Sequence, residues 1–209
     1  HLIGPSIQYG YDISRAYPKI VGDMATAQHE DGMIPTIAPQ YTVFAEGFLD
    51  TPEWGSAFIL LPYYLYRWYG DDRPMRENYD RMADYIDYLS SKADGHIVAY
   101  GLGDWCDIGP EPAHSQLTSN GVSATAIYYY DICTMRRIAE HLGKTADAER
   151  YESLAAEVKK AFNERFFDRR TLKYDRNSQA ANAMALYMGL AEPQYEEVVL
   201  KNLIDDIRG

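Results

Sequence analysis

The sequence predicts an all-α fold, an (α/α) toroid built from about four helical hairpins. Three observations predict it. Helical periodicity recurs along the chain while the period-two alternation of half-buried strands is scarce. Segments apolar on nearly every face alternate with segments that carry a single apolar stripe. The connections are alternately long and short. A helix without a polar face belongs inside and a striped helix outside, so the alternation builds two concentric layers. A solenoid also stacks hairpins, but it shows a fixed repeat length and a recurring sequence pattern, and these hairpins do not resemble one another.

Residues 5–30 hold a first helix pair, broken near Tyr11 to Ser14. Residues 54–69 are apolar almost all round and predict a buried helix, with Trp68 as core. Met75, Tyr79, Met82, Ile86 and Leu89 then form one stripe on an outer helix. Asp71 or Asp72 caps its start and Pro74 lies in its first turn. "HIVAY" at 96–100 predicts a short strand or hairpin inside a loop. Residues 122–139 predict a second buried helix, ended by Gly143. Thr145 caps the next outer helix, whose stripe is Tyr151, Leu154, Val158, Phe162 and Phe166. Residues 179–189 predict a third buried helix; behind Pro193, Val199, Leu200, Leu203, Ile204 and Ile207 make the last outer stripe.

The two long connections, His29–Glu53 and Ala93–Gly121, each precede a buried helix and therefore fall at the same end of the toroid. Loops beyond ~15 residues in a compact domain are usually functional or disordered. These are rich in aromatics, prolines and acids, which predicts order. They bring Glu46, Asp50, Glu53, Trp54, Asp104, Trp105, Asp107 and His114 to one mouth. An acidic, aromatic-lined pocket suits a sugar, whose C–H faces stack on rings and whose hydroxyls bond to carboxylates. The competing reading is packing: a tryptophan at a helix entrance also serves as an anchor, and an acid there complements the helix dipole. Glycines at 101, 103 and 109 allow the second loop to turn sharply.

Composition narrows the alternatives. The 209 residues carry a formal net charge of −11 and a pI of about 4.8, which disfavours phosphate backbones and anionic lipid as partners. No apolar run reaches the ~18 residues of a membrane span. Cys106 and Cys133 read as unpaired thiols, the five histidines lie at no metal-ligand spacing, and neither a metal nor a cofactor is expected. The chain opens on His1 and ends within a helical pattern; both ends read as cut, which predicts residues 1–209 to be a single domain-internal part of a larger helical domain.

"HLIGPSIQYGYDI", "DGMIPTIAP", "TPEWGSAFILLPYYLYRWYGD", "HIVAYGLGDWCDIGP" and "SQAANAMALYMGL" together resemble the catalytic domain of bacterial α-L-rhamnosidases, glycoside hydrolase family 78. The resemblance covers essentially the whole chain. It implies an incomplete (α/α)6 toroid, part of an inverting hydrolase that releases terminal α-L-rhamnose from glycosides or polysaccharides. Glu53, Trp54, Asp104 and Trp105 would contact the sugar, with Asp107 and His114 as weaker candidates. The family's general acid would fall upstream of His1 and its general base beyond Gly209, so no catalytic residue is assigned within this chain, which is expected to be inactive alone. A non-catalytic sugar-binding or protein-interaction module is the alternative; a related (α/α)6 hydrolase or a lyase on another sugar ranks behind it. Uncovered hairpin flanks at the open edges of the barrel predict a homodimer.

Overall fold

The structure, a computed structural model, describes residues 3–111 and 114–208. His1, Leu2 and Gly209, on which the reading of two cut ends rests, lie outside it, as do residues 112–113 of the second long loop. The described chain is helical, in the order α1 (Gly4–Gly10), α2 (Ala16–Ala27), α3 (Pro52–Gly55), α4 (Ala57–Tyr69), α5 (Arg73–Lys92), α6 (Asn120–His141), α7 (Thr145–Phe166), α8 (Gln179–Tyr187) and α9 (Glu196–Arg208). Between α7 and α8 stands a two-stranded antiparallel ribbon, β1 (Phe167–Asp168) and β2 (Lys173–Tyr174), with Phe167 opposite Tyr174.

Four hairpins result: α1–α2, α4–α5, α6–α7 and α8–α9. The inner helices pack side by side, α1 on α4, α4 on α6 and α6 on α8, while α2, α5, α7 and α9 lie outside. The predicted four-hairpin toroid is therefore present as an open arc. The stripe of α5 is buried throughout; each fully buried Met, Ile or Leu in it contributes roughly 1.5–3 kcal/mol. Two apolar clusters form. One lies among α2, α4, α5, α6 and α7, the other among α6, α7, the ribbon, α8 and α9, so that α6 and α7 contribute to both.

Several local expectations need correction. The buried helix expected at 54–69 is two helices, because Ser56 interrupts it after the single turn of α3. Trp68 is not core: it is exposed at the short-loop end of α4, in an edge-to-face contact with Tyr9 at 4.7 Å between centroids. Thr145 is the first residue of α7 rather than its cap, which is Lys144. At α5 the two acids divide the work. Asp72 occupies the cap position, but its side chain bonds Arg76 and His141 rather than a helix N–H, and Asp71 accepts from the Arg73 backbone N–H. "HIVAY" makes no extended strand; its start closes a minimal antiparallel hairpin, in which Asp94 and Ile97 exchange backbone hydrogen bonds of 3.0 Å across Gly95 and His96. Along α9 only Val199 is buried, and Leu200, Ile204 and Ile207 are exposed, since among the described residues α9 rests mainly on α8, β2 and the Pro193–Tyr195 turn. For the same reason α8, expected to be buried all round, leaves Tyr187 open.

Candidate functional site

The first long loop ends at Thr51, where Pro52 starts α3 and fixes its first turn. One turn is enough to send neighbouring side chains opposite ways. Glu53 is buried, whereas Trp54 stays 37% exposed. The second long loop closes over the acid. The Leu102 N–H donates to Thr51 Oγ1 (2.9 Å), and Thr51 Oγ1 donates to Glu53 Oε2 (2.5 Å). Asn120 Nδ2, at the start of α6, holds the Gly101 carbonyl at 2.9 Å. Burial pushes the Glu53 carboxyl above its ordinary range, and the bond from Thr51 opposes that only in part. Its other oxygen, Oε1, is buried without a hydrogen-bond partner. The close approach of the loops depends on Gly101, at φ +103°, where an added Cβ would stand 2.4 Å from Thr51 Oγ1.

The tryptophans meet above this seam. Trp54 and Trp105 lie 6.1 Å apart between centroids with planes at 75°. Phe48 adds an edge contact to Trp105 at 5.4 Å, and Phe44 follows Phe48 at 6.4 Å. Edge contacts of this kind contribute about 0.5–1.5 kcal/mol each. Trp105 reaches this position from the tip of a tight turn: the Asp107 N–H donates to the Asp104 carbonyl at 3.1 Å, and Cys106 takes φ +69°.

The remaining carboxylates differ in use. Asp104 is half-buried and accepts from Thr118 Oγ1 at 3.2 Å; Thr118 Oγ1 lies 2.7 Å from Ser178 Oγ, which caps α8 by accepting from the Ala181 N–H. Asp104 also lines a cleft of about 490 Å³ with Asp107, Leu117, Arg176, Ser178 and Gln179. Asp107 is engaged by its own loop, accepting backbone N–H bonds from Gln116, Leu117 and Thr118. Desolvation pulls its pKa up, but these N–H donors and the Arg176 charge outweigh it and leave it below the ordinary value. His114 is exposed, and its backbone carbonyl rather than its ring receives the Gln116 side chain. Glu46 and Asp50 line a second cleft, about 610 Å³, with Tyr88, Lys92 and Tyr100. Burial raises the Asp50 carboxyl, while the Tyr88 and Tyr100 hydroxyls, donating at 2.5 and 3.3 Å, work the other way.

The structure thus brings Trp54 and Trp105 together, buries Glu53 in the seam between the loops, turns Asp104 towards Thr118 and a neighbouring cleft that neither tryptophan lines, and leaves His114 exposed. Sequence reasoning missed Thr51, Thr118 and Asn120, which tie the two loops together. It also missed Ser56 and Asp131, which are buried behind α3 with Ser56 Oγ hydrogen-bonded to Asp131 Oδ2. Thr51-Pro52 and Ser178 carry a recognisable helix-start signal; nothing local marks Asp131. Among the described residues no cluster of His, Cys, Asp and Glu forms a metal site, and no helix is long and apolar enough to cross a membrane.

Comparison with known proteins adds an independent line. Residues 1–209 match the family model for the bacterial alpha-L-rhamnosidase 6 hairpin glycosidase domain. An alpha-L-rhamnosidase of Alteromonas sp. (strain LOR) is 31% identical over 172 residues, covering 79% of this chain and 18% of that protein. Among solved structures, the alpha-L-rhamnosidase from Dictyoglumus thermophilum superposes with a TM-score of 0.87 at 31% identity, covering 98% of this chain and 23% of that one. The Streptomyces avermitilis alpha-L-rhamnosidase complexed with L-rhamnose gives a TM-score of 0.88 at 27% identity, covering 99% and 19%. The chain spans about a fifth of the length of these relatives.

Proposed function

Since the chain belongs to the family of bacterial α-L-rhamnosidase six-hairpin glycosidase domains, we propose that it forms part of the sugar-binding floor of a glycoside hydrolase that releases terminal α-L-rhamnose. The observation that carries this reading is the Trp54–Trp105 pair, each ring more than a third exposed, with the half-buried Asp104 beside Trp105 in the chain. L-Rhamnose offers a matching surface. Its methyl group and C–H bonds suit the rings, and its hydroxyls suit a carboxylate already oriented by Thr118. A relative of this fold has been seen with L-rhamnose bound, which supports the same ligand here.

Within this reading the roles separate by exposure. Trp54 and Trp105 wall the sugar, and Asp104 takes its hydroxyls. Glu53 acts from below, holding Thr51 and through it the Gly101–Leu102 backbone. Asp107 keeps the second loop in shape. Hydrolysis proceeds with inversion: one carboxylic acid protonates the glycosidic oxygen, and a carboxylate roughly 6.5–9.5 Å away activates water on the opposite face. Both of those groups come from parts of the domain other than residues 1–209, which form one internal portion of a larger (α/α)6 domain. The substrates are rhamnose-ended glycosides or polysaccharides.

Initial rates on an aryl α-L-rhamnoside test this, measured for residues 1–209 and for the longer natural protein. Rhamnose release by the longer protein only is expected, with inverted anomeric configuration by NMR. Release by residues 1–209 alone would overturn the division of labour, and a longer protein without activity would overturn the substrate. In that last case L-rhamnose calorimetry separates a binding module, which gives saturable heat, from a scaffold, which gives none.

A further inference from the structure

Behind the pocket floor, Ser56 and Asp131 are both fully buried. Ser56 Oγ stands 2.7 Å from the Pro52 carbonyl oxygen and within hydrogen-bond distance of Asp131 Oδ2. The carbonyl can only accept. A serine hydroxyl has one proton, so it cannot donate both to that carbonyl and to a carboxylate. Two oxygens this close without a proton between them repel. The arrangement closes only if the second proton comes from the aspartic acid.

We propose that Asp131 is a protonated, neutral acid at neutral pH and a positioning residue for the sugar pocket: it donates to Ser56 Oγ, Ser56 donates to the Pro52 carbonyl, and this two-bond strap fixes the α3–α4 break that presents Trp54. The surroundings agree. Asp131 makes no ion pair among the described residues, and its Oδ1 meets no hydrogen-bond partner. The titratable groups facing it are Tyr64 from α4 and Tyr85 from α5, neither of them a cation; the Tyr85 hydroxyl also reaches Ser56, where it can donate into a second lone pair of Oγ, and Glu53 and Asp50 face Tyr85 in turn. Burial drives the Asp131 carboxyl well above its ordinary range. An unpaired carboxylate in such a place is strongly disfavoured, whereas a neutral acid is a donor like any other. The strap also has the right reach. It ties α6, the central inner helix, to the turn between Pro52 and Ser56 that aims Trp54 outward and Glu53 inward.

The positioning role rests on the proposed rhamnose site, whereas the protonation state does not. In the full-length natural protein, the infrared difference between wild type and Asp131→Asn at neutral pH is expected to show the C=O stretch of a protonated carboxylic acid. Carboxylate bands alone would overturn the proposal. Hydrogen exchange across residues 51–60 is expected to stay near wild type in Asp131→Asn, whose amide still donates, and to quicken in Ser56→Ala and Asp131→Leu. On an aryl α-L-rhamnoside the same split is expected in KM: within about threefold for Asn, raised about tenfold for the other two, as displacement of a positioned group produces. Equal damage from Asn and Leu in both readouts would overturn the donor role. Ser56→Ala carries the comparison should Asp131→Leu fail to fold. A wild type without rhamnosidase activity refutes the substrate and leaves the infrared and exchange results to decide the strap.

Discussion

Replacing Gly101 with alanine tests whether the two long loops are truly held together. At φ +103° an L-residue pays backbone strain of roughly 1–3 kcal/mol. The added Cβ would also stand 2.4 Å from Thr51 Oγ1, 3.0 Å from Pro52 Cδ and 3.1 Å from Glu53 Oε2. Thr51 is fully buried and cannot swing into solvent, so it must give up its bonds to the Leu102 N–H and to Glu53, at about 1 kcal/mol for each. The sum is about 3–5 kcal/mol. Gly70→Ala is the control. It too has positive φ, +72°, but its Cβ would meet nothing within 4 Å, so only about 1–2 kcal/mol is expected. In urea titrations followed by circular dichroism, the Gly101 variant should unfold roughly 1 M earlier than the Gly70 variant, for a slope near 2 kcal/mol per M. Equal midpoints would refute the claim that Thr51, Glu53 and Gly101 form one closed seam.

Trp54→Ala and Trp105→Ala should each weaken L-rhamnose binding about two- to tenfold by calorimetry in the full-length protein, the worth of one ring contact; unchanged affinity would return both rings to a packing role. Asp107→Ala should speed hydrogen exchange at Gln116, Leu117 and Thr118 without disturbing the helices. Because the Asp107 pKa is held down, its protection is present above the ordinary carboxylate range and is lost as pH falls through the depressed value; protection that persists in the alanine variant would count against it. Glu53 behaves in the opposite sense. Its raised pKa means that the folded state keeps a proton the unfolded state releases, so stability falls as pH rises from the ordinary value to the raised one. Glu53→Gln should remove that fall, and parallel melting-temperature curves for the two proteins across that window would refute it. Residues 1–209 should associate through the exposed Leu200, Ile204 and Ile207 face; light scattering that reports a monomer at every concentration would exclude the dimer.

How far the fold could be read from the sequence depends on the range of the signal. The stripe from Met75 to Leu89 is a repeat within one helix, and every member of it is buried. The α9 stripe has the same pattern but remains mostly exposed, because burial needs a partner that periodicity does not describe. The ribbon at Phe167–Tyr174 escaped notice because strands of two residues have no period. At the site, the rings and acids stood out by type. Their division did not: Glu53 is buried and Trp54 exposed because the second loop closes over one side of α3, through the Leu102–Thr51–Glu53 bonds. Asp131 looked like any polar residue on an inner helix. Its meaning lies in a contact with a residue 75 positions away.

The membership of α6 in both apolar clusters has a mechanical consequence. A wall shared by two rooms cannot fall into one of them alone. Loosening of the α8–α9 hairpin reaches α6 through Val122 and Ala126, and α6 in turn carries Asp131 towards Ser56 and the pocket floor. The four hairpins should therefore melt as one cooperative unit rather than as beads on a string. A surface change on the last hairpin would then be felt at Trp54 as a loss of rigidity rather than of contact.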